Sequence, residues 1–240
     1  MSFDDLERSI NDGSPTELYA FSYGAKRYLY TSNETAITYN SEVYEPLSLR
    51  RSRISLTTER GKNDITVTVP RDCDVANVFS VAPPTQSMTL AVYRTHRSLI
   101  TGAIAIWIGR VVNAKWDEDQ TAELLCESFY TSMARVALRR GYGRQCAHAL
   151  YDEQCRVVRE DHYFSSTASN VTRLTMTVAG ADAYADGHFN GGMVQWQNTE
   201  NSVIERRMIS THAGTTITVT HHITNIGSDV VLLPGCSHNM

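Results

Sequence analysis

The chain has 240 residues, 42% of them apolar and 20% charged, as expected for a soluble globular protein with one large core or two modest ones. A net charge of −4 gives no overall attraction to nucleic acid or to an anionic membrane, so stable nucleic-acid binding is not expected. The longest apolar run, Ile104–Ile108, is too short to span a bilayer. The acidic N-terminus carries no secretory signal, so we expect synthesis in the cytoplasm, where cysteines are more often reduced or metal-bound than paired in disulfides.

The first half of the chain predicts a short helix followed by many strands. Residues 2–12 place Phe3, Leu6 and Ile10 on one helical face, and Gly13 and Pro15 end the pattern. From there the period changes to two, with turn residues at short, even intervals. The predicted strands cover 18–23, 27–31, 36–39, 42–44, 53–57, 64–69, 88–94, 104–112 and 122–127, with a helical turn between 72 and 79. The expected architecture is an antiparallel, barrel-like domain over residues 1–130.

Residues 130–160 interrupt this pattern with an arginine-rich stretch, Arg135–Arg144, that could face a partner, a cluster or DNA. Strand character then returns at 173–178, 192–197, 202–209, 215–220 and 230–233. We therefore predict a smaller β-rich C-terminal domain over residues 140–240. The predicted fold class is mostly β.

Three cysteines of the C-terminal half form a candidate metal or cluster site. Cys146 and Cys155 flank one short loop, and Cys236 stands in Pro-Gly-Cys-Ser-His near the end of the chain. Nine helical steps of about 100° would place the first two on opposite faces, so the segment must bend for both to bind one group. Their spacing is wider than is usual for zinc pairs, which favours a bulkier iron–sulfur cluster over zinc. His148 and His238 are candidate fourth ligands, and buried, unliganded cysteines are an equally open interpretation.

The other candidate chemistry is weaker. Cys73 and Cys126 lie in strand-rich sequence and are predicted to be core residues. Asp182, Asp186 and His188 could form an acid–base or metal site, but Asp-Gly is a common turn pair, and we predict a turn.

Catalytic sequence motifs are missing: there is no phosphate-binding glycine loop, no Gly-x-Ser-x-Gly and no His-Glu-x-x-His. An iron–sulfur or zinc hydrolase is therefore the less favoured reading, and we predict a protein that is not an enzyme.

Tyrosine-rich strands leave a second function open. They carry Tyr19, Tyr23, Tyr28, Tyr30 and Tyr39. A monomeric β-barrel module that binds a glycan or a protein, with zinc or no metal, would use such side chains. Alternating tyrosines are more often part of a pleated core or an interface.

The series of short segments resembles the hub proteins of phage tail tips, baseplates and gene transfer agents. In the N-terminal half these are Tyr19-Ala-Phe, Tyr28-Leu-Tyr-Thr-Ser, Ile37-Thr-Tyr-Asn, Tyr44-Glu-Pro-Leu, Arg51-Ser-Arg-Ile, Val67-Thr-Val-Pro and Ile108-Gly-Arg-Val. In the C-terminal half they are Cys146 with Cys155, Tyr184-Ala-Asp-Gly-His-Phe, Arg207-Met-Ile-Ser-Thr-His and Leu233-Pro-Gly-Cys236.

The resemblance implies a structural virion protein, usually a homotrimer, that joins the tail tube and distal tail proteins to the central fibre or receptor-binding assembly. It also implies an iron–sulfur cluster, of the 4Fe–4S type, with Cys146, Cys155 and Cys236 matching three of its ligands; zinc is the alternative. Family members carry a fourth cysteine a few residues later, at a position beyond Met240.

Overall fold

The chain folds into two compact units, Met1–Arg135 and Val136–Met240. A computed structural model describes residues 3–10, 13–55, 57, 63–116, 120–133, 146 and 148–236. The whole of the arginine-rich stretch and most of the predicted boundary region lie in residues 134–145, outside the described part. The bounds 1–130 and 140–240 therefore stay a prediction. No helix in the described part of the chain is both long and apolar enough to cross a membrane.

In its described residues, the first unit contains three short helices and nine strands. The helices are α1 (Phe3–Arg8), α2 (Asp74–Asn77) and α3 (Phe129–Met133), and the strands are β1 (Pro15–Tyr23), β2 (Lys26–Thr31), β3 (Ile37–Tyr39), β4 (Glu42–Pro46), β5 (Arg50–Arg51), β6 (Ile65–Pro70), β7 (Met88–His96), β8 (Leu99–Trp116) and β9 (Thr121–Ser128). The nine strands form one sheet in the order β3-β4-β2-β1-β7-β8-β9-β6-β5, in which β2 and β4 pair in parallel.

Alternating side chains build the core of this unit. Strands β6 and β9 bury every second residue, as the period-two pattern predicts, and β1 buries residues on both faces. On one of those faces, Leu18 and Ala20 pack with Ile37 and Tyr44. The β3–β4 hairpin therefore covers the β1 region of the sheet.

The second unit contains a closed six-stranded barrel. Its strands are β10 (Phe164–Ser169), β11 (Thr175–Val178), β12 (Met193–Asn198), β13 (Ile204–Ala213), β14 (Thr216–Val219) and β15 (Ile226–Leu233). The order β10-β11-β14-β13-β12-β15 closes through an antiparallel β10–β15 pair, which we call the barrel seam. Inside, Trp196, Ile209 and Leu232 belong to a buried apolar cluster, and the buried Glu205–Arg207 ion pair (3.0 Å) lies against the Trp196 ring.

The mostly β fold class is confirmed, with two differences in detail among the N-terminal elements. The helix ends at Arg8, and Ile10, predicted on its apolar face, is 97% exposed. The strand predicted over 53–57 is wrong at its described residues, which are not in a strand and of which none is buried. There the Asn63 side chain satisfies both the N–H (2.8 Å) and the carbonyl (2.7 Å) of Thr57. The closed barrel is formed by the second unit, while the first unit is a nine-stranded sheet.

Candidate functional site

The three cysteines of the predicted site lie in the second unit, and the segments of two of them meet one end of the barrel seam. Cys155 precedes β10, and Cys236 follows β15. In the seam, Phe164 pairs with Leu232, so the chain enters β10 and leaves β15 at the same end of the barrel. Cys146 and Cys155 are half-buried, and Cys236 is exposed. The topology thus carries the segments that bear Cys155 and Cys236 to the same end of the barrel.

Tyr151 connects the cysteine loop to the C-terminal segment. Its phenol donates a hydrogen bond of 2.9 Å to the carbonyl of Pro234. Burial raises the pKa of Tyr151, and the nearby thiols of Cys236 and Cys155 raise it further. Both cysteines therefore lie within the electrostatic surroundings of this one side chain.

The loop bends at residues with left-handed backbone conformation. Tyr151 has φ of 63° and Arg156 has φ of 60°, values that are uncommon for residues other than glycine. These positions flank Cys155 on both sides. The described part of the segment between Cys146 and Cys155 is therefore not a straight helix, as binding of both cysteines to one group would require.

Asp152 fixes the backbone at Cys155. Its carboxylate accepts hydrogen bonds from the N–H groups of Cys155 (2.6 Å) and Gln154 (2.9 Å). The hydrogen bond from the Cys155 N–H lowers the pKa of Asp152 the most, and the charge interaction with His148 lowers it by a smaller amount. Sequence reasoning missed Asp152 and Tyr151. Asp152 could have been found from the sequence, because an aspartate often accepts hydrogen bonds from the N–H groups two and three residues later in a turn.

The donor atoms fit a thiolate-bound group in their chemistry, although they are not gathered around one point. Thiolates suit an iron–sulfur cluster, and the buried Nδ1 of His148 has no hydrogen-bond partner among the described residues. Within the same described part, no three His, Cys, Asp or Glu side chains form a group that could hold a metal ion. His238 lies outside it. Ligation by Cys146, Cys155 and Cys236 thus stays a prediction, and it would require these side chains to draw together as the group binds.

The other two cysteines are core residues, as predicted. Cys73 and Cys126 are 7% and 2% exposed in the first unit. Burial, with a smaller contribution from Asp64, raises the pKa of the Cys126 thiol to about 12. A thiol with so high a pKa is neutral and unreactive at physiological pH.

The Asp-Gly segment forms the predicted turn. Asp186 accepts a hydrogen bond of 2.7 Å from the N–H of Gly214, and Gly187 has φ of 84°, which favours glycine. The His188 ring stacks on Tyr184 at 4.8 Å between centroids. These contacts connect the turn to the barrel wall and account for two of the three acid–base candidates, Asp186 and His188.

Tyrosines on the first strands serve the core. Tyr19, Tyr23 and Tyr28 are between 1% and 6% exposed, and Tyr30 and Tyr39 are half-buried. The interpretation as a pleated core, rather than as a sugar-binding platform, is confirmed for the three buried rings.

Comparison with solved structures shows a shared fold. Seven chains match, and one of them, in the virion of a native gene transfer agent (GTA) particle, superposes with a TM-score of 0.80. The match covers 99% of this chain and 85% of that chain at 13% sequence identity. No curated protein sequence matches the chain.

Comparison with protein families gives a match over more than half of the chain. Residues 22–158 match the family described as baseplate hub protein, N-terminal attachment domain. The matched range covers most of the nine-stranded sheet and extends through the cysteine loop. The chain therefore belongs to the baseplate hub family and is a structural protein of a phage-type tail, located in the virion.

Proposed function

We propose that this protein joins the tail tube and distal tail proteins to the central fibre or receptor-binding assembly. The observation that carries this proposal is the family match, because the matched range is an attachment domain of baseplate hubs. The likeness to a chain of a GTA virion supports the same architecture. In this proposal the protein acts as a homotrimer and without catalytic activity.

The cysteine loop and the C-terminal segment are proposed to be tied together by an iron–sulfur cluster of the 4Fe–4S type. Cys146, Cys155 and Cys236 would bind it, and zinc is the alternative. Two features support this assignment. The register of the barrel seam brings two of the cysteine-bearing segments to one end of the barrel. In addition, the hydrogen bond from Tyr151 to the Pro234 carbonyl already links the cysteine loop to the C-terminal segment. When bound, the group would supply a covalent crosslink that stabilises the second unit.

The cluster is tested by measuring iron, zinc and acid-labile sulfide in protein purified without oxygen, together with the visible absorption spectrum. Iron and sulfide in similar amounts, with a brown colour, are the expected result. Zinc without sulfide would keep the crosslink and exclude the cluster. The absence of both metals would refute the liganded site.

The hub assignment is tested separately, on purified particles and on the isolated protein. Quantitative mass spectrometry of particles should find a few copies of this chain per tail, and light scattering should give the mass of a trimer. A stable monomer that is missing from particles would instead favour the isolated binding module.

A further inference from the structure

One side of strand β8 has no partner along its first half. Strand β7 pairs with β8 on one side, from Leu99 to Val111. On the other side, β9 pairs only from Gly109 to Trp116. No described strand pairs with the outer side of Leu99–Ile108, which we call the β8 free edge.

The β8 free edge lacks the charged residues and the proline that often prevent strand addition. Exposed edges are usually short or carry lysine or proline, whereas this one is Leu-Ile-Thr-Gly-Ala-Ile-Ala-Ile-Trp-Ile, with no charge and no proline. Ile104 and Ile108 are 46% and 54% exposed. Two irregularities interrupt its pairing with β7: a bulge at Ile106, and the stretch between Leu99, which pairs with His96, and Ile104, which pairs with Arg94.

Apolar surface continues beyond the β8 free edge onto the short helix α3. Gly109, the residue after the edge, pairs with Ser128, which directly precedes α3. On that helix Phe129 is 61% exposed and Met133 is 72% exposed. Large apolar side chains in water along a strand edge indicate a surface that is covered in the assembled state.

The edge itself defines what can cover it. Its outward N–H and C=O groups are matched by another extended strand, and its uncharged side chains require a partner strand that brings no unpaired charge. The strands at the ends of the sheet, β3 and β5, have only three and two residues, and the barrel is closed. Among the described strands, none pairs with the outer side of Lys26–Leu29 in β2 either, but that stretch contains two charged residues. A second copy that offered its own β8 free edge would form a two-fold pair, which does not build the proposed trimer.

We propose that the β8 free edge is the place where an extended, uncharged strand of a neighbouring tail protein adds to the nine-stranded sheet. This assignment rests on the hub function proposed above, and it names the surface by which the attachment domain attaches. The edge lies within residues 22–158, the range that matches the attachment-domain family.

The test places charge on the edge and follows incorporation into particles. Cells that make particles receive the full-length chain as wild type, as Ile104→Lys/Ile108→Lys, or as the control Val43→Lys, whose side chain on β4 is 53% exposed. Incorporation is measured by quantitative immunoblot, and the folding of each purified chain is checked by circular dichroism and its Tm. We expect incorporation of the double variant to fall by about tenfold, with its Tm and the control unchanged.

Amide hydrogen exchange gives a second readout that does not depend on a variant. In wild-type particles, outward amides of Thr101–Ile108 should exchange about tenfold more slowly than in the isolated chain. Equal exchange rates, or normal incorporation of the double variant, would overturn the proposal. Isolated wild-type dimers that the lysines dissociate would also overturn it, in favour of a second copy. A wild-type chain that never enters particles would instead refute the hub function itself.

Discussion

At the scale of single residues, the first unit contains a half-buried carboxylate held by several donors. Glu17 accepts hydrogen bonds from Tyr19 (2.7 Å), from Arg51 Nε (2.9 Å) and from Arg94 (3.2 Å). Burial alone would raise the pKa of Glu17, but these hydrogen bonds outweigh it and lower the pKa below its usual 4.5. Strands β1 and β7 and the β5 segment are thereby joined through one side chain.

The first prediction concerns the pH dependence of this cluster. Because the folded-state pKa of Glu17 is lowered, its stabilisation is present above pH 4.5 and is lost as the pH falls through the folded-state value. Glu17→Gln should lower the free energy of unfolding by about 2 kcal/mol at neutral pH, since charged hydrogen bonds are lost. Denaturant unfolding at several pH values should show this difference shrinking below pH 4.5. A difference that is the same at all pH values would contradict this account.

A second prediction concerns the close approach of β8 and β9. A Cβ at Gly109 would overlap the carbonyl oxygen of Glu127 and the ring of Trp107, neither of which can move freely. Gly109→Ala should therefore destabilise the first unit by about 2 kcal/mol or more, measured by thermal unfolding. Gly102→Ala is the matched control on the same strand, because the close contacts of its Cβ would be with the flexible side chain of Leu99 and its nearest backbone atom lies at an ordinary 3.6 Å. Equal losses in the two variants would argue against a steric cause.

At the scale of elements, the cysteine loop is held to the C-terminal segment by its own contacts. Tyr151 and Pro234 are 83 residues apart in sequence and are joined by one hydrogen bond. Gly192 packs so closely on this segment that a Cβ there would lie 2.8 Å from the N of Gly235. The loop, the start of β12 and the segment before Cys236 therefore form one packed region.

The third prediction is that Tyr151→Phe loosens this region. The variant removes the hydrogen bond to Pro234 and should cost about 1 kcal/mol, seen as faster amide exchange in residues 148–155. Tyr163→Phe is the control, since Tyr163 lies in the same unit and is 48% exposed. Unchanged exchange in Tyr151→Phe would show that the bond contributes nothing to the position of the loop.

Elements were predictable from sequence where their side chains alternate strongly in character. Strands β6, β7 and β9 were found because apolar and polar residues alternate along them. Strand β10 was missed because Phe-Ser-Ser-Thr-Ala-Ser contains small, mostly polar residues, although the structure alternates their burial. At residues 53–55 and 57 the alternating sequence predicted a strand, but none of these residues is buried and they form no strand.

At the scale of the whole molecule, long-range pairing was beyond the sequence. Barrel closure depends on the pairing of β10 with β15, some sixty residues apart, and no local pattern encodes which strands become neighbours. The resemblance of short segments did indicate the hub family, which the family match confirms. The candidate cysteine site could be selected from spacing and the Asp152 turn could have been found from its local pattern, but the contact between Tyr151 and Pro234, 83 residues apart, could not.

The fourth prediction concerns the separate stability of the two units. If the cluster stabilises the second unit, Cys155→Ser should unfold residues 140–240 while the first unit remains folded, because each unit has its own core. Limited proteolysis with mass spectrometry reads out both units at once. Glu153→Ser, an exposed change in the same loop, is the control. Equal protease resistance of the second unit in both variants would count against the ligand role of Cys155.

The register of the barrel seam determines how the second unit would respond to mechanical load. Phe164, at the start of β10, lies opposite Leu232, at the end of β15. A force that pulls apart the chain entering β10 and the chain leaving β15 would therefore act at one end of the seam. Its hydrogen bonds would then break one after another, as in a zipper, at a much lower force than if they were sheared together. The proposed crosslink between the segments of Cys155 and Cys236 would lie just outside that end of the seam. It would take up the tension before the first bond of the seam, which suits a part that transmits force at the tip of a tail.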